Sequence, residues 1–264
     1  MIDTSTPPAS TAVPFVSPHR LGACSIAGNT RKENQDRLHL GHLAGADLCI
    51  VADGLGGLPR GAMAAEIATS YARERLEGEL PMLLPAGPDA VRAFLVGVIW
   101  QAAAKLAEAV VVHGWNGEGV GLRTTLILVV ATRDHYVLAF IGDGGAFVLR
   151  GDGETVSLLD PHKDMAEPEV LHASLGPSIE GRPSWAVMER RAGDVLVVAT
   201  DGVADVFDAA LAARLREELD RTQGNAAQTA WEIVRQTAFA RDDADHFSVT
   251  DNLTCVVLIG EGRS

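Results

Sequence analysis

Three apolar segments of this chain end in an aspartate that is followed at once by a glycine. The aspartates are Asp53, Asp143 and Asp201. Short apolar runs of this kind are typical of buried strands, so each carboxylate is expected where a strand leaves the core. A fourth aspartate, Asp251, stands just before the apolar run 253–259. If the sheets bring these ends together, four carboxylates meet at one rim.

An Asp-Gly pair on its own indicates only a turn, because Asp bonds the nearby backbone and Gly accepts a positive φ. Asp152 fits that interpretation, since it lies in a short turn between two predicted strands. Asp205, four residues after Asp201, has two interpretations. It is either a helix N-terminal residue, favoured by the helix dipole, or a further cation ligand.

Carboxylates gathered at one rim need compensation, because like charges so close cannot all remain ionised. Divalent cations supply it. Hard ions such as Mg²⁺ and Mn²⁺ take oxygen ligands, and no His or Cys lies next to these aspartates in the sequence. The pattern therefore favours Mn²⁺ or Mg²⁺ over zinc.

The hydrophobic pattern predicts a layered α+β fold with mostly antiparallel sheets, because helices and strands do not alternate strictly. Strands are predicted at 48–52, 124–132, 136–141, 146–149, 155–159, 185–189, 195–199 and 253–259. Helices are predicted at 61–80, 89–113, 209–218 and 226–240. Residues 1–20, rich in Pro, Ser and Thr, are expected to form a flexible tail, and residues 21–264 a single domain.

The chain carries 35 acidic and 22 basic residues, for a net charge of −13. An acidic chain without a block of Lys and Arg is not expected to bind nucleic acid. Cys24, Cys49 and Cys255 are few and far apart, which indicates buried, reduced thiols in a cytoplasmic protein. No uninterrupted apolar run is long enough for a membrane span, so none is expected.

Five blocks of acidic residues and glycines follow one another along the chain: Gly28-Asn-Thr-Arg-Lys-Glu-Asn-Gln-Asp36, Val51-Ala-Asp-Gly-Leu-Gly-Gly57, Ile141-Gly-Asp143, Thr200-Asp-Gly202 and Asp251-Asn-Leu-Thr254. In this order they resemble the bacterial members of the metal-dependent, type 2C family of serine/threonine protein phosphatases. The resemblance covers residues 21–259. One block alone is weak, but five in the family's order are highly specific.

The resemblance implies a four-layer α-β-β-α sandwich, with two mostly antiparallel sheets flanked by helices and two metal ions at one end. Asp53 would bridge the two ions, and the Gly54 carbonyl would ligate one of them. Asp201 and Asp251 would hold the other ion, and Asp36 would act through a water molecule.

By the same resemblance, Asp143 and Asp205 match the positions of an optional third ion. Arg31 matches the arginine that binds the substrate phosphate. A surface salt bridge from Arg31 to Glu33 or Asp36 is the alternative, and such a bridge contributes little to stability.

The implied activity is the hydrolysis of phosphoserine and phosphothreonine on proteins. A water or hydroxide shared by the two metals would attack phosphorus, while Arg31 and the metals neutralise charge on the phosphoryl oxygens. The expected partner is a phosphorylated kinase or signalling protein, and the enzyme is expected to be a monomer. Two alternatives are an inactive phosphatase-fold scaffold and a phosphatase of a small phosphorylated metabolite.

The sequence departs from the family's pattern at several positions. Leu58 stands where many members carry a histidine proposed to protonate the leaving oxygen. His162 is expected to be a structural loop residue rather than a substitute acid. Arg123 replaces a usual glycine, and two glycines follow Asp143 in place of Ser-Arg. A segment of only about a dozen residues, 163–173, occupies the place of a longer flap, which suggests an open, shallow cleft.

Overall fold

The computed structural model describes residues 20–56, 58, 60–115, 121–163, 170–241 and 246–260. The predicted tail at 1–20 lies almost wholly outside these ranges. Gly57 and the middle of the short flap lie outside them as well, so the predictions made there stay predictions.

Ten strands and five α-helices form within the described ranges. The strands are β1 (Leu21–Ile26), β2 (Asp36–Leu43), β3 (Ala46–Asp53), β4 (Leu126–Ala131), β5 (His135–Ile141), β6 (Gly145–Leu149), β7 (Thr155–Ser157), β8 (Ser184–Glu189), β9 (Val195–Ala199) and β10 (Leu253–Ile259). The helices are α1 (Gly61–Leu83), α2 (Pro88–Val112), α3 (Asp201–Ala204), α4 (Ala209–Arg221) and α5 (Ala226–Phe239).

The strands form two five-stranded sheets in which every pairing is antiparallel. One sheet has the order β1-β10-β9-β6-β7, and the other has the order β2-β3-β4-β5-β8. Three separate apolar cores stack through the molecule. One lies between the sheets, one under α1 and α2, and one under α4 and α5. The predicted four-layer α-β-β-α sandwich is therefore confirmed.

Burial on both faces explains why the central strands are apolar throughout rather than alternating. Every residue of β4 and of β9 is buried, because one face packs on the opposite sheet and the other on helices. Antiparallel sheets with one solvated face alternate instead. This double burial made the strands at 48–52, 195–199 and 253–259 easy to predict.

The sequence pattern missed three elements near the rim. Strands β1 and β2 were not assigned, and β2 in particular mixes polar and apolar residues with only two buried positions. Helix α3 has only four residues, which is too short for a helical period to be visible.

Helix α2 is long and apolar enough, by length and composition alone, to cross a membrane. In this fold one of its faces is buried against α1 and β5, with Leu95, Ile99 and Leu106 fully enclosed. The expectation that the chain has no membrane span stays a prediction.

Candidate metal centre

Asp36 and Asp53 face each other at the rim of one sheet. Asp36 opens β2, Asp53 closes β3, and the two residues are direct partners in the antiparallel register. The backbone of Asp53 is held from the far side, because Thr125 N–H donates to its carbonyl at 2.8 Å and Asp53 N–H donates to Thr125 Oγ1 at 2.9 Å. The sheet therefore sets the spacing of two carboxylates.

Asp36 also receives two hydrogen bonds from the opposite sheet. Thr254 Oγ1 donates to Asp36 Oδ2 at 2.6 Å, and Thr200 Oγ1 donates to the same oxygen at 2.9 Å. Thr254 lies in β10, and Thr200 lies between β9 and α3. These bonds tie the two sheets together at the rim and fix the orientation of the Asp36 carboxyl group.

Asp201 begins α3 and meets Asp53 from the other sheet. Its Oδ1 accepts the N–H of Gly202 at 2.6 Å, and its carboxyl lies within hydrogen-bonding reach of Asp53. Gly202 is required for this approach, since a Cβ there would lie 2.1 Å from the carbonyl oxygen of Asn252. The same approach brings Asp251 beside Asp201, and the two carboxylates interact electrostatically.

Close packing against another glycine fixes the position of Gly54, the residue predicted to ligate a metal through its carbonyl. A Cβ on Gly54 would lie 2.2 Å from the backbone of Gly61, the first residue of α1. Only a pair of glycines allows α1 to begin this close to the end of β3. Gly54 N–H donates to the carbonyl of Gln35 at 3.3 Å, which ties this turn to β2.

Burial and mutual repulsion raise the pKa values of these carboxyl groups. Burial raises the pKa of Asp36 to about 7, although the hydroxyl of Thr254 opposes the shift. Burial and the nearby charge of Asp36 hold the pKa of Asp53 well above its usual range. Burial also raises the pKa of Asp201. Each shift reports a site where negative charge lacks a partner.

Arg31 lies at the edge of this cluster, partly exposed. Its guanidinium donates to Asp251 Oδ2 at 2.6 Å, and this hydrogen bond raises the Arg31 pKa further. Asp53 and Asp201 also attract its charge. Among the residues described, the ion-pair partner of Arg31 is thus Asp251 rather than Glu33 or Asp36, the partners considered from the sequence.

Asp143 and Asp205 lie on the side of the cluster near α3. Burial, with the nearby charge of Asp201, raises the pKa of Asp143 to about 7, and the charge of Asp205 acts in the same direction. Asp205 follows α3 as its C-terminal cap and forms an ion pair with Lys163 at 2.5 Å. The interpretation of Asp205 as a helix N-terminal residue is therefore wrong, because it caps the C-terminus of α3, where the helix dipole disfavours a carboxylate. Its role as a cation ligand stays a prediction.

The structure thus gathers all eight predicted site residues around one end of the sandwich: Arg31, Asp36, Asp53, Gly54, Asp143, Asp201, Asp205 and Asp251. Asp152 stays apart in its hairpin, where its Oδ1 accepts the N–H of Glu154 at 3.1 Å. The metal and substrate roles of the eight residues stay predictions.

The sequence model of the family described as "Protein phosphatase 2C" matches residues 28–257. This match spans most of the chain and includes every residue of the cluster. The chain belongs to the protein phosphatase 2C family.

Individual relatives agree with this membership. The serine/threonine protein phosphatase PstP of Mycobacterium tuberculosis is 28% identical in an alignment 204 residues long that covers 70% of this chain and 36% of PstP. The chain thus spans about a third of the length of the curated relatives it matches.

Solved structures of bacterial phosphatases share the fold. The S. agalactiae serine/threonine phosphatase superposes with a TM-score of 0.73 at 22% identity, over 90% of this chain and 98% of that one. The catalytic domain of PstP in complex with two manganese ions superposes with a TM-score of 0.70 at 24% identity, over 92% of this chain and 98% of that one.

His162 has a structural role in this member of the protein phosphatase 2C family. Its Nδ1 accepts the N–H of Gly142 at 3.1 Å, so its proton lies on Nε2, 2.8 Å from Ser184 Oγ. The ring stacks on Phe140 with centroids 4.9 Å apart. With both nitrogens engaged, His162 positions the backbone before Asp143, in agreement with the structural role expected from the sequence.

Three polar residues of the centre were present in the recognised blocks without a predicted role. They are Thr200, Thr254 and Asn252. Asn252 Oδ1 accepts the N–H of Gln35 at 2.8 Å, and its amide donates to the carbonyls of Ala27 and Glu33. Asn252 thereby ties the loop that carries Arg31 to the chain segment that carries Asp251. The one feature of the sequence that could have indicated these three residues is their position beside the aspartates of the recognised blocks.

The residues fit divalent cations by their chemistry. Within the ranges described, no three His, Cys, Asp or Glu side chains already converge as a finished cage around one point. The donor set is nevertheless entirely oxygen, as Mg²⁺ and Mn²⁺ require. Asp36 Oδ1 is buried and receives no hydrogen bond from any described N–H or hydroxyl. Asp36 and Asp53 can bond to each other only when one of them carries a proton, and a cation removes that need.

These pKa shifts predict that Mn²⁺ stabilises the protein more at pH 8 than at pH 6. A raised carboxyl pKa means that these carboxyl groups keep their protons in the metal-free folded state to a higher pH than in the unfolded state. The contribution of each such group to folding stability therefore falls as pH rises towards about 7. Cations must displace those protons, and they bind more tightly once the protons are gone. Thermal unfolding with Mn²⁺ or with a chelator at each pH measures the difference in Tm.

The Mn²⁺-induced change in Tm is the proper readout for this prediction. Burial lowers the pKa of His39 and of His162, so these residues change the metal-free Tm with pH in the opposite direction. Subtracting the Tm measured with chelator from the Tm measured with Mn²⁺ at the same pH cancels the contribution of these histidines. An equal Mn²⁺ effect at pH 6 and pH 8 would contradict the assignment of these carboxylates to the metal centre.

Proposed function

We propose that this chain is a metal-dependent phosphatase that hydrolyses phosphoserine and phosphothreonine on proteins. The observation that carries the proposal is the set of buried and half-buried carboxyl groups with raised pKa values at one rim, with an arginine at its edge. Membership of the protein phosphatase 2C family and similarity to a serine/threonine protein phosphatase support it.

In the proposed centre, the Asp53 carboxylate and the Gly54 carbonyl would hold one divalent cation. Asp53, Asp201 and Asp251 would hold the other, and Asp36 would act through a water molecule. We propose Mn²⁺ or Mg²⁺ as these cations, and the complex of the PstP catalytic domain with two manganese ions supports this choice. When bound, the cations would acidify water and neutralise charge on the phosphoryl group.

Arg31 is proposed to bind the substrate phosphate. Its planar guanidinium can donate two parallel hydrogen bonds to phosphoryl oxygens, which a lysine ammonium cannot match. The side chain is 39% exposed and can reach a ligand in solvent, while its bond to Asp251 keeps it beside the carboxylates. Arg31 then positions the phosphoryl group over the centre and offsets its negative charge.

Leaving-group protonation is the step for which neither of the two positions considered from the sequence offers a donor in the described part of the chain. Leu58 has no titratable group, and both nitrogens of His162 are engaged. A serine or threonine oxygen leaves as an alkoxide unless solvent protonates it. Substrates with acidic leaving groups are therefore expected to react faster relative to phosphopeptides than they would with a positioned acid.

The proposed partner is a phosphorylated protein such as a kinase or another signalling protein, and the proposed site of action is the cytoplasm. Three free, buried cysteines support a reducing compartment. The net charge of −13 favours neither nucleic acid nor an anionic surface as a ligand. We further propose that the enzyme acts as a monomer.

Hydrolysis assays test the proposed reaction most simply. We expect Mn²⁺-dependent turnover of both a phosphothreonine peptide and p-nitrophenyl phosphate by the wild-type chain. Asp53→Asn is expected to lower kcat by at least about 1000-fold, because this carboxylate is assigned to both cations. It should also weaken Mn²⁺ binding, measured by calorimetry.

Asp152→Asn is the matched control, since it makes the same chemical change at an Asp-Gly turn away from the centre. It should keep wild-type rates and Mn²⁺ binding. Near-normal rates in Asp53→Asn would remove the basis of the proposal. Turnover of the small ester alone would favour a metabolite phosphatase, and Mn²⁺ binding without turnover of either substrate would favour a scaffold.

Arg31→Ala is expected to raise KM for the phosphopeptide about 10-fold or more while the number of bound Mn²⁺ ions stays the same. The reason is that Arg31 is assigned to the phosphate, and its removal leaves the oxygens of Asp251 free. Arg235→Ala serves as the control, because Arg235 forms an exposed pair with Glu232 on α5. A loss of Mn²⁺ from Arg31→Ala with unchanged KM would contradict a phosphate-binding role.

A further inference from the structure

Lys163 is a cation fixed at the edge of the carboxylate cluster. The backbone beside it is anchored on two sides, because His162 N–H donates to the carbonyl of Gly142 at 2.9 Å and His172 N–H donates to the carbonyl of His162 at 3.0 Å. Lys163 itself forms an antiparallel bridge with Leu171. Its side chain is only 17% exposed, although the Asp205 carboxylate that it contacts is 52% exposed.

The ammonium of Lys163 acts on two of the predicted metal ligands. Lys163 Nζ lies 2.5 Å from Asp205 Oδ1, close enough for a charge-assisted hydrogen bond. Its charge also lowers the pKa of Asp143, against the effects of burial, Asp201 and Asp205. Asp143 and Asp205 are the residues that match the optional third ion of the family. In this chain a lysine already pairs with Asp205 and partly offsets the charge of Asp143.

We propose that Lys163 takes the place of a third divalent cation, so that Asp143 and Asp205 are neutralised from within the chain and bind no metal. This inference rests on the proposed function, because it divides the metal-binding residues of that centre into two sets. Asp53, Asp201 and Asp251 take cations, whereas the Asp143–Asp205 side does not. Lys163 is a positioning residue in this account and does not contact substrate.

Electrostatics makes the two occupants mutually exclusive. An ammonium group is a compact point charge with three donors, and it can serve Asp143 and Asp205 from a single position. A divalent cation bound to the same oxygens would stand within a few ångströms of that ammonium. At such a distance the repulsion energy between the ammonium and the divalent cation exceeds the energy of a surface ion pair, even at an intermediate dielectric constant. Metal binding there would require the Lys163 side chain to leave.

The number of Mn²⁺ ions bound per chain tests this inference without any measurement of activity. Equilibrium dialysis followed by elemental analysis gives that number for the full chain. Asp205→Asn is expected to leave the wild-type number unchanged, since Asp205 binds no metal. Lys163→Met is expected to bind about one additional Mn²⁺ ion, because removal of the ammonium exposes two carboxylates. Lys163→Met combined with Asp205→Asn should lose that additional ion.

Two controls make the result specific to the position of the charge. Lys163→Arg keeps a cation beside Asp205 and should retain the wild-type number of Mn²⁺ ions. Lys105→Met removes a lysine that pairs with Glu108 on the exposed side of α2, and it should also change nothing. Far-ultraviolet circular dichroism verifies that each variant is folded.

Loss of one Mn²⁺ ion in Asp205→Asn would overturn the inference, whether or not Lys163→Met folds. A folded Lys163→Met with the wild-type number of ions would overturn it as well. Either result leaves the proposed function intact if the wild-type chain binds Mn²⁺ and hydrolyses phosphopeptide. A wild-type chain that binds no Mn²⁺ and shows no hydrolysis would defeat both proposals together.

Discussion

Repulsion among buried carboxylates is the constraint on which this rim of the molecule depends. Asp36, Asp53 and Asp201 come from both sheets and interact where Asp36 is buried and Asp53 and Asp201 are half-buried, so water screens their charges poorly. Packing alone would favour replacing such groups with apolar ones, since buried charge is costly without a partner. Instead, hydroxyl donors, close glycine contacts and two basic side chains hold the carboxylates together in this chain. Such an arrangement is expected at a site that binds cations.

The sandwich gives these groups a rigid support. β3, β4, β9 and β10 are apolar on both faces, so apolar cores above and below hold the ends of these strands in place. The polar residues at the rim are therefore held in fixed positions. The hydroxyls of Thr200 and Thr254 then join the two sheets through Asp36. Arg31 and Lys163 offset charge at two different carboxylates of the cluster, one in contact with Asp251 and the other with Asp205. A central group of carboxylates remains for cations.

Local patterns predicted Asp53, Asp143, Asp201 and Asp251, because each stands at the end of an apolar run whose direction and burial are visible in the sequence. Contacts between distant residues were not predictable in the same way. Asp36 depends on Thr200 and Thr254, which are 164 and 218 residues away. Lys163 meets Asp205 across 42 residues, and nothing in their local sequence indicates a pair. Helix α3 was too short to produce a period, and β2 was too polar to be distinguished from a loop.

The position of manganese in a crystal of this protein tests the central claim most directly. Anomalous diffraction from crystals grown with Mn²⁺ locates the ions independently of any assay. The account predicts anomalous peaks in contact with the carboxylates of Asp53 and Asp201, with Asp251 and the Gly54 carbonyl completing the ligand set. Peaks confined to the exposed surface, or none in contact with Asp53 at saturating Mn²⁺, would contradict it.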